Sequence, residues 1–178
     1  MRRLILVPLL LFMGCSGQRF DEAVWSEKGS AIIGDFKRQM SGALQNSMRD
    51  GASAGIEVCR DLAPEIAAAF TNDTREVGRT SQRLRNPDNA PREWIKPLLD
   101  EYAAADEPLT ARALPLENGH IGYVEPIYVM SVCLKCHGSQ IDSTISHRLA
   151  ELYPQDQAKG YASGDFRGLF WVEFSGAE

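Results

Sequence analysis

The sequence predicts an α+β domain in which helices come first and an antiparallel sheet, crossed by loops, follows. Apolar residues recur at helical spacing from Ala23 to about Met48 and again before Phe70. Alternating, β-rich segments flank Glu117-Asn118-Gly119, and another strand-like run closes the chain. Its 178 residues suit one domain with its own core rather than two. Ordinary apolar and charged content, with no repeat or low-complexity tract, excludes a disordered chain.

The chain begins with Met1-Arg2-Arg3 and an apolar run from Leu4 to Met13, interrupted only by Pro8. That run is too short to span a bilayer stably and has the layout of a secretory signal. Its ending, Leu11-Phe12-Met13-Gly14-Cys15, resembles a bacterial lipobox, where a small residue precedes the cysteine that becomes lipidated. Phe12 stands where that motif usually has leucine, and Leu11 lies one position further back. The expected organisation is a lipoprotein signal peptide at 1–14, a lipidated tether at 15–22 and the folded domain at 23–178. Losing Arg2 and Arg3 with the signal takes the formal charge from -5 to -7. An acidic surface argues against nucleic acid as partner and against broad adhesion to anionic lipid heads. Acyl chains on Cys15 would supply the membrane attachment of an exported, periplasmic protein. Ser16 is not the aspartate that usually retains lipoproteins at the inner membrane, which favours the outer one.

The first helix carries Ile32, Ile33, Phe36, Met40, Ala43 and Leu44 on one face, and Asp50-Gly51 ends it. A second helix is predicted over Ala54 to Phe70, with Cys59, Leu62, Ala63, Ile66 and Phe70 on one face, so that Cys59 points into the core. Between them, Gly51-Ala52-Ser53-Ala54-Gly55 matches the G-x-S-x-G pattern of a nucleophile elbow. That elbow needs a buried strand before it, and polar Gln45 to Asp50 reads instead as helix, so a flexible link is expected.

Arg75 to Ser81 reads as a strand, and Asn86-Pro87-Asp88-Asn89-Ala90-Pro91 as a rigid loop. Pro91 or Arg92 opens a short helix through Trp94 and Leu98 to about Ala105. Arg112 to Leu116 and Ile121 to Val129 make a hairpin. Ile141 to Leu152 reads as a helix ended near Pro154, and Gly168 to Phe174 as the final strand.

Directly after the hairpin stands Cys133-Leu134-Lys135-Cys136-His137, the C-x-x-C-H signature of covalent haem attachment. Two thiols three positions apart can each add to one of the two haem vinyl groups. The next residue then offers its imidazole to the iron as an axial ligand. One covalent haem c is therefore expected on Cys133, Cys136 and His137. A thioredoxin-like C-x-x-C normally lies early in its domain, and a structural zinc site needs a second ligand pair that this chain lacks. Cys59 is left unpaired, which is unusual in an exported chain.

The residues alone leave the second axial ligand open among Cys59, His120, His147 and the methionines. His120 falls in the hairpin turn and reads as exposed. His147 follows the motif on a helix, beside Arg148. Met130 lies only three residues before Cys133 and would have to cross to the other haem face, and Met40 and Met48 read as core filler.

Several segments resemble a known family, the single-haem c-type domain of PAS-like fold long filed as a domain of unknown function. They are Ile56-Glu57-Val58-Cys59 with Ala63-Pro64-Glu65-Ile66, and Gly78-Arg79-Thr80-Ser81 with Leu84-Arg85-Asn86-Pro87 and Asn89-Ala90-Pro91. Trp94, Cys133 to Gly138, Tyr153-Pro154 and Gly164-Asp165-Phe166-Arg167-Gly168 complete the series over residues 25–175. The resemblance implies a PAS-like antiparallel sheet with N-terminal helices packed on it. It also implies a cysteine as second axial ligand, at the position of Cys59.

A thiolate stabilises ferric iron, whereas a Met–His pair raises the potential. A Cys59–His137 pair therefore suits a haem-based redox or small-ligand sensor, with low-potential electron transfer as the alternative. A haem enzyme such as a peroxidase would need an open distal site, which a bound Cys59 would close. Arg79, Arg83 and Arg85 are candidate contacts to the haem propionates, or else a solvated basic face. A redox or signalling protein is the expected soluble partner, although no kinase, cyclase or methyl-accepting segment is present.

Overall fold

In the computed structural model, which describes residues 20–176, Asp21 caps the first helix, α1 (Glu22–Ser47). Its carboxylate accepts from the backbone N–H groups of Ala23 and Val24, a cap worth about 1 kcal/mol. The expected signal peptide and Cys15 lie outside the described residues. No helix among the described residues is long and apolar enough to cross a membrane. The helix buries Trp25, Gly29, Ile33 and Phe36, and Gly51 at φ +113° turns the chain out of it.

The second predicted helix is broken. Helix α2 (Ala52–Glu57) runs into a wide π turn, Val58–Leu62, before α3 (Ala63–Phe70). Pro64 has no N–H for the carbonyl of Arg60, and the N–H of Ala63 reaches back five residues to the Val58 carbonyl instead. The turn absorbs one residue and interrupts the 3.6-residue stripe. Leu62, expected in the core, is 37% exposed at its end. Ile56 packs with Leu149 and Tyr153, while Ile66 packs into the sheet core with Phe36.

Four strands form one antiparallel sheet: β1 (Arg75–Thr80), β2 (Arg112–Pro115), β3 (Ile121–Tyr128) and β4 (Phe166–Phe174), in the order β1-β4-β3-β2. The expected hairpin is β2–β3, with Leu114 opposite Gly122. The final strand starts earlier than predicted, because Phe166 pairs with Tyr128 beyond a bulge at Ile127/Tyr128. The predicted helix at Pro91 begins as a 3-10 turn, Glu93–Ile95, and becomes α4 (Lys96–Ala104) with Pro97 in its first turn.

Period-two alternation divides the sheet's side chains between two layers. Ile33 and Phe36 of α1 pack on Val77, Tyr123, Val172 and Phe174 of one face. Ile95, Leu98, Leu99 and Tyr102, from the 3-10 turn and α4, pack on Val124, Leu169 and Trp171 of the other. Gly78 and Gly122 make room there for two indoles. A Cβ at Gly78 would lie 2.5 Å from Trp171, and one at Gly122 would lie 2.8 Å from Trp94. This is the α+β, PAS-like architecture the sequence predicts, with N-terminal helices packed on the sheet. The C-terminal lobe adds α5 (Leu134–His137) and α6 (Ser143–Leu152), the latter capped by Asp142.

Candidate functional site

The π turn, the end of β1, the end of β3 and the segment around α5 enclose a cleft of about 850 Å³, counting its open mouth. Cys59, distant in sequence, lines it together with Cys133 and His137, with Tyr153 and Phe170 among the apolar walls. Cys59 is thus half-buried on a cleft wall, a correction to the prediction that it points into the core. It also borders a second hollow toward Phe36 and Trp171.

Cys133 ends a 3-10 turn, Ser131–Cys133, that leads into α5, and Cys136 and His137 close that short helix. Cys136 is half-buried beside Ile56 and Leu149, and this burial pushes its thiol pKa up. Both cysteines are free thiols. The His137 ring nitrogen Nδ1 lies 2.7 Å from the carbonyl oxygen of Ala158. A carbonyl can only accept, so Nδ1 carries the proton and the Nε2 lone pair is left for a metal. Burial pushes the His137 pKa down to about 3, and the charges of Arg85 and Arg167 act in the same direction. The ring is therefore neutral at physiological pH, as coordination requires.

The strap from Asp156 to Tyr161 holds this arrangement. The N–H of Tyr161 donates to the His137 carbonyl at 3.0 Å, and that of Gly160 to the Gly138 carbonyl at 2.9 Å. Arg85 reaches across to the strap. One of its terminal NH2 groups donates to the Cys136 carbonyl at 2.5 Å and to the Ala158 carbonyl at 3.3 Å. Its guanidinium also pairs with Asp156 at 3.1 Å.

The arginines thus divide. Arg79 lines the cleft. Arg85 lines it too, with its Nε and one terminal nitrogen engaged by Asp156 and the two carbonyls. Arg83, the remaining candidate contact, does not line it. Its guanidinium stacks on Tyr161 at 4.2 Å and donates to the Gln157 carbonyl. Sequence reasoning passed over Arg167 as a contact, although it lay inside the Gly164–Gly168 motif. It lines the cleft, donates to Ser81 Oγ at 2.6 Å, and burial holds its pKa below the usual value.

Other candidate ligands sit elsewhere. His120 is not a free turn residue, because its Nδ1 lies 2.9 Å from Glu173. His147 is exposed on α6, Met130 is 64% exposed, and Met40 packs against the sheet core. None of these lines the cleft. Among the described residues no three His, Cys, Asp or Glu side chains converge to hold a metal ion unaided. A haem brings its own four nitrogens and asks of the protein only axial ligands and anchoring thiols. The donor set around this cleft fits that demand: the Cys133 thiol just before α5, one neutral imidazole with its lone pair free, a further thiol on the π turn, and cationic Arg79 and Arg167, while Cys136 packs beside Ile56 and Leu149.

A Tll0287-like family model (Tll0287) matches residues 22–175. Among solved structures, the chain is similar to the crystal structure of the cyanobacterial heme-protein Tll0287. The identity is 23%, covering 86% of this chain and 95% of that one, with a TM-score of 0.60. At that identity the likeness shows the shared fold. No curated protein matches the chain.

Proposed function

The chain belongs to the Tll0287-like family, and from that premise we propose that it is an exported monohaem c-type protein acting as a haem-based redox or small-ligand sensor module. The observation that carries the reading is that one cleft is lined by Cys59, Cys133 and His137, with Nδ1 of His137 bound to the Ala158 carbonyl. The solved relative being a heme-protein supports it. Cys133 and Cys136 would hold the group through thioethers, His137 would ligate through Nε2, and Cys59 would ligate from the π turn. Arg79 and Arg167 would meet its carboxylates. When bound, a haem c supplies one-electron redox chemistry and, where an axial position opens, a site for a small ligand. Cys59 as a thiolate would favour ferric iron; on reduction the thiolate would take a proton and leave as the thiol. A closed resting site also argues against a peroxidase. A lipid on Cys15 would tether the domain to a membrane, in keeping with the lipobox-like ending.

Low-potential electron transfer is the second reading. Met130 and Val132, 64% and 51% exposed just before Cys133, favour it as an apolar rim for a redox partner. Optical spectra of wild type and Cys59→Ala, matured in an exporting host with haem-c machinery, decide between them. The first reading expects a ferric thiolate-type spectrum that Cys59→Ala converts to high-spin, with CO binding only after reduction. An unchanged low-spin spectrum in Cys59→Ala would remove Cys59 from the iron and make electron transfer the leading account.

A further inference from the structure

We propose that Arg85 and Asp156 are positioning residues that set how strongly His137 donates to the iron, and so tune the reduction potential. The inference rests on the ligation by His137 proposed above. Arg85 and Asp156 lie 71 positions apart in sequence and meet beneath the cleft, their side chains 10% and 0% exposed. A buried ion pair is weak evidence for stability, because desolvating two charges offsets much of their attraction. Its placement is the more informative fact. Arg85 donates to the same Ala158 carbonyl that accepts from His137 Nδ1, at 3.3 Å against 2.7 Å. It also donates to the carbonyl of Cys136, the residue before His137. Asp156 accepts from the Ala158 N–H at 2.8 Å, so it holds the same residue through the preceding peptide unit. Lys159 stands 3.9 Å from Asp156, on the exposed side.

Two opposite influences reach the imidazole from this pair. The Arg85 guanidinium draws density from the Ala158 carbonyl and weakens its hold on the Nδ1 proton, which makes His137 a poorer donor and favours reduced iron. Its positive charge acts in the same direction through space. The Asp156 carboxylate opposes both. The pair thus holds the potential between the values either charge alone would give.

The test is spectroelectrochemical titration of matured holoprotein for wild type, Arg85→Gln, Arg85→Lys and Asp156→Asn, with ferric spectra recorded for each. Arg85→Gln should lower the midpoint potential, because Asp156 is left with only Lys159. Asp156→Asn should raise it, and Arg85→Lys should lie closer to wild type than Arg85→Gln does. Shifts of opposite sign are what a merely structural clamp would not produce. Should Asp156→Asn fail to retain haem, the contrast between Gln and Lys at position 85 still decides. An unchanged or raised potential in Arg85→Gln, with the wild-type ferric spectrum, overturns the inference and leaves the ligation standing. A ferric spectrum that survives His137→Ala overturns the ligation itself.

Discussion

The sheet and the cleft wall are held together by different forces. On the sheet, Ile33, Phe36, Leu99, Val124, Leu169 and Val172 are almost wholly buried and pack in two continuous layers. Around α5, the apolar clusters are small: Ile56, Leu149 and Tyr153 in one, Val129, Ala158 and Tyr161 in the other. There the backbone bonds of the strap and the donors of Arg85 supply the order. Burial of apolar area is non-directional and sums over many neighbours, whereas hydrogen bonds fix orientation and contribute about 1 kcal/mol each. The sheet is therefore built for stability, and the cleft wall for aim.

Truncations in the two regions should separate these roles. Ile33→Ala should cost about 2–5 kcal/mol in urea unfolding while the visible spectrum of the folded protein stays as in wild type. Leu149→Ala, in a small cluster that can relax, should fall near the low end of that range and disturb the spectrum as well. Equal costs with two unaltered spectra would erase the distinction.

A smaller effect is expected at Glu173, a polar site at the end of the sheet. Burial alone would raise its carboxyl pKa, but hydrogen bonds from His120 and Trp94 and the charge of Arg92 hold it below the usual range. Its contribution is then fully present above the unfolded value of about 4.3 and is lost as pH falls through the lowered folded value. Glu173→Gln should cost about 1–2 kcal/mol at neutral pH. The gap to wild type should close on acidification below about pH 4. A gap that persists at low pH would assign the effect to packing instead.

The least effect is expected at Pro64. Replacing it with alanine restores a donor for the Arg60 carbonyl, worth about 1 kcal/mol to a regular helix. Burial of Ile56 and Ile66 on different partners opposes the regular helix by about 1.5–3 kcal/mol each. The wide turn should persist, and the ferric spectrum of Pro64→Ala should match wild type. A spectrum like that of Cys59→Ala would show that Pro64 alone holds the turn.

Much of this was legible in the sequence, and for reasons that are local. Helix α1, the β2–β3 hairpin and the thiols and imidazole of Cys133, Cys136 and His137 announce themselves through periodicity or spacing. Cys59 stands out as unpaired, but its place on the cleft wall does not, because the helical periodicity runs on across Pro64. Pro64 itself was the signal that the backbone ladder must fail there. The Arg85–Asp156 pair was invisible for another reason: Asp156 sits in a polar stretch without period, and its partner lies across the fold. Ala158 could not be singled out at all, since its part is played by a backbone carbonyl that any residue carries.

The π turn can also be described as a matter of chain length. Between Glu57 and Ala63 the chain holds one residue more than a regular helix needs to keep Ile56 against α6 and Ile66 against the sheet. Such a surplus is what a single-codon insertion leaves in a helix whose two ends are already committed to their partners. Arg60 and Asp61, both exposed, pair mainly with each other, so either could be deleted with both core clusters intact. A shortened chain of that kind would retain its fold and lose the bulge from which Cys59 meets the cleft. The folding of the domain and the presentation of that thiol are then separable by one residue.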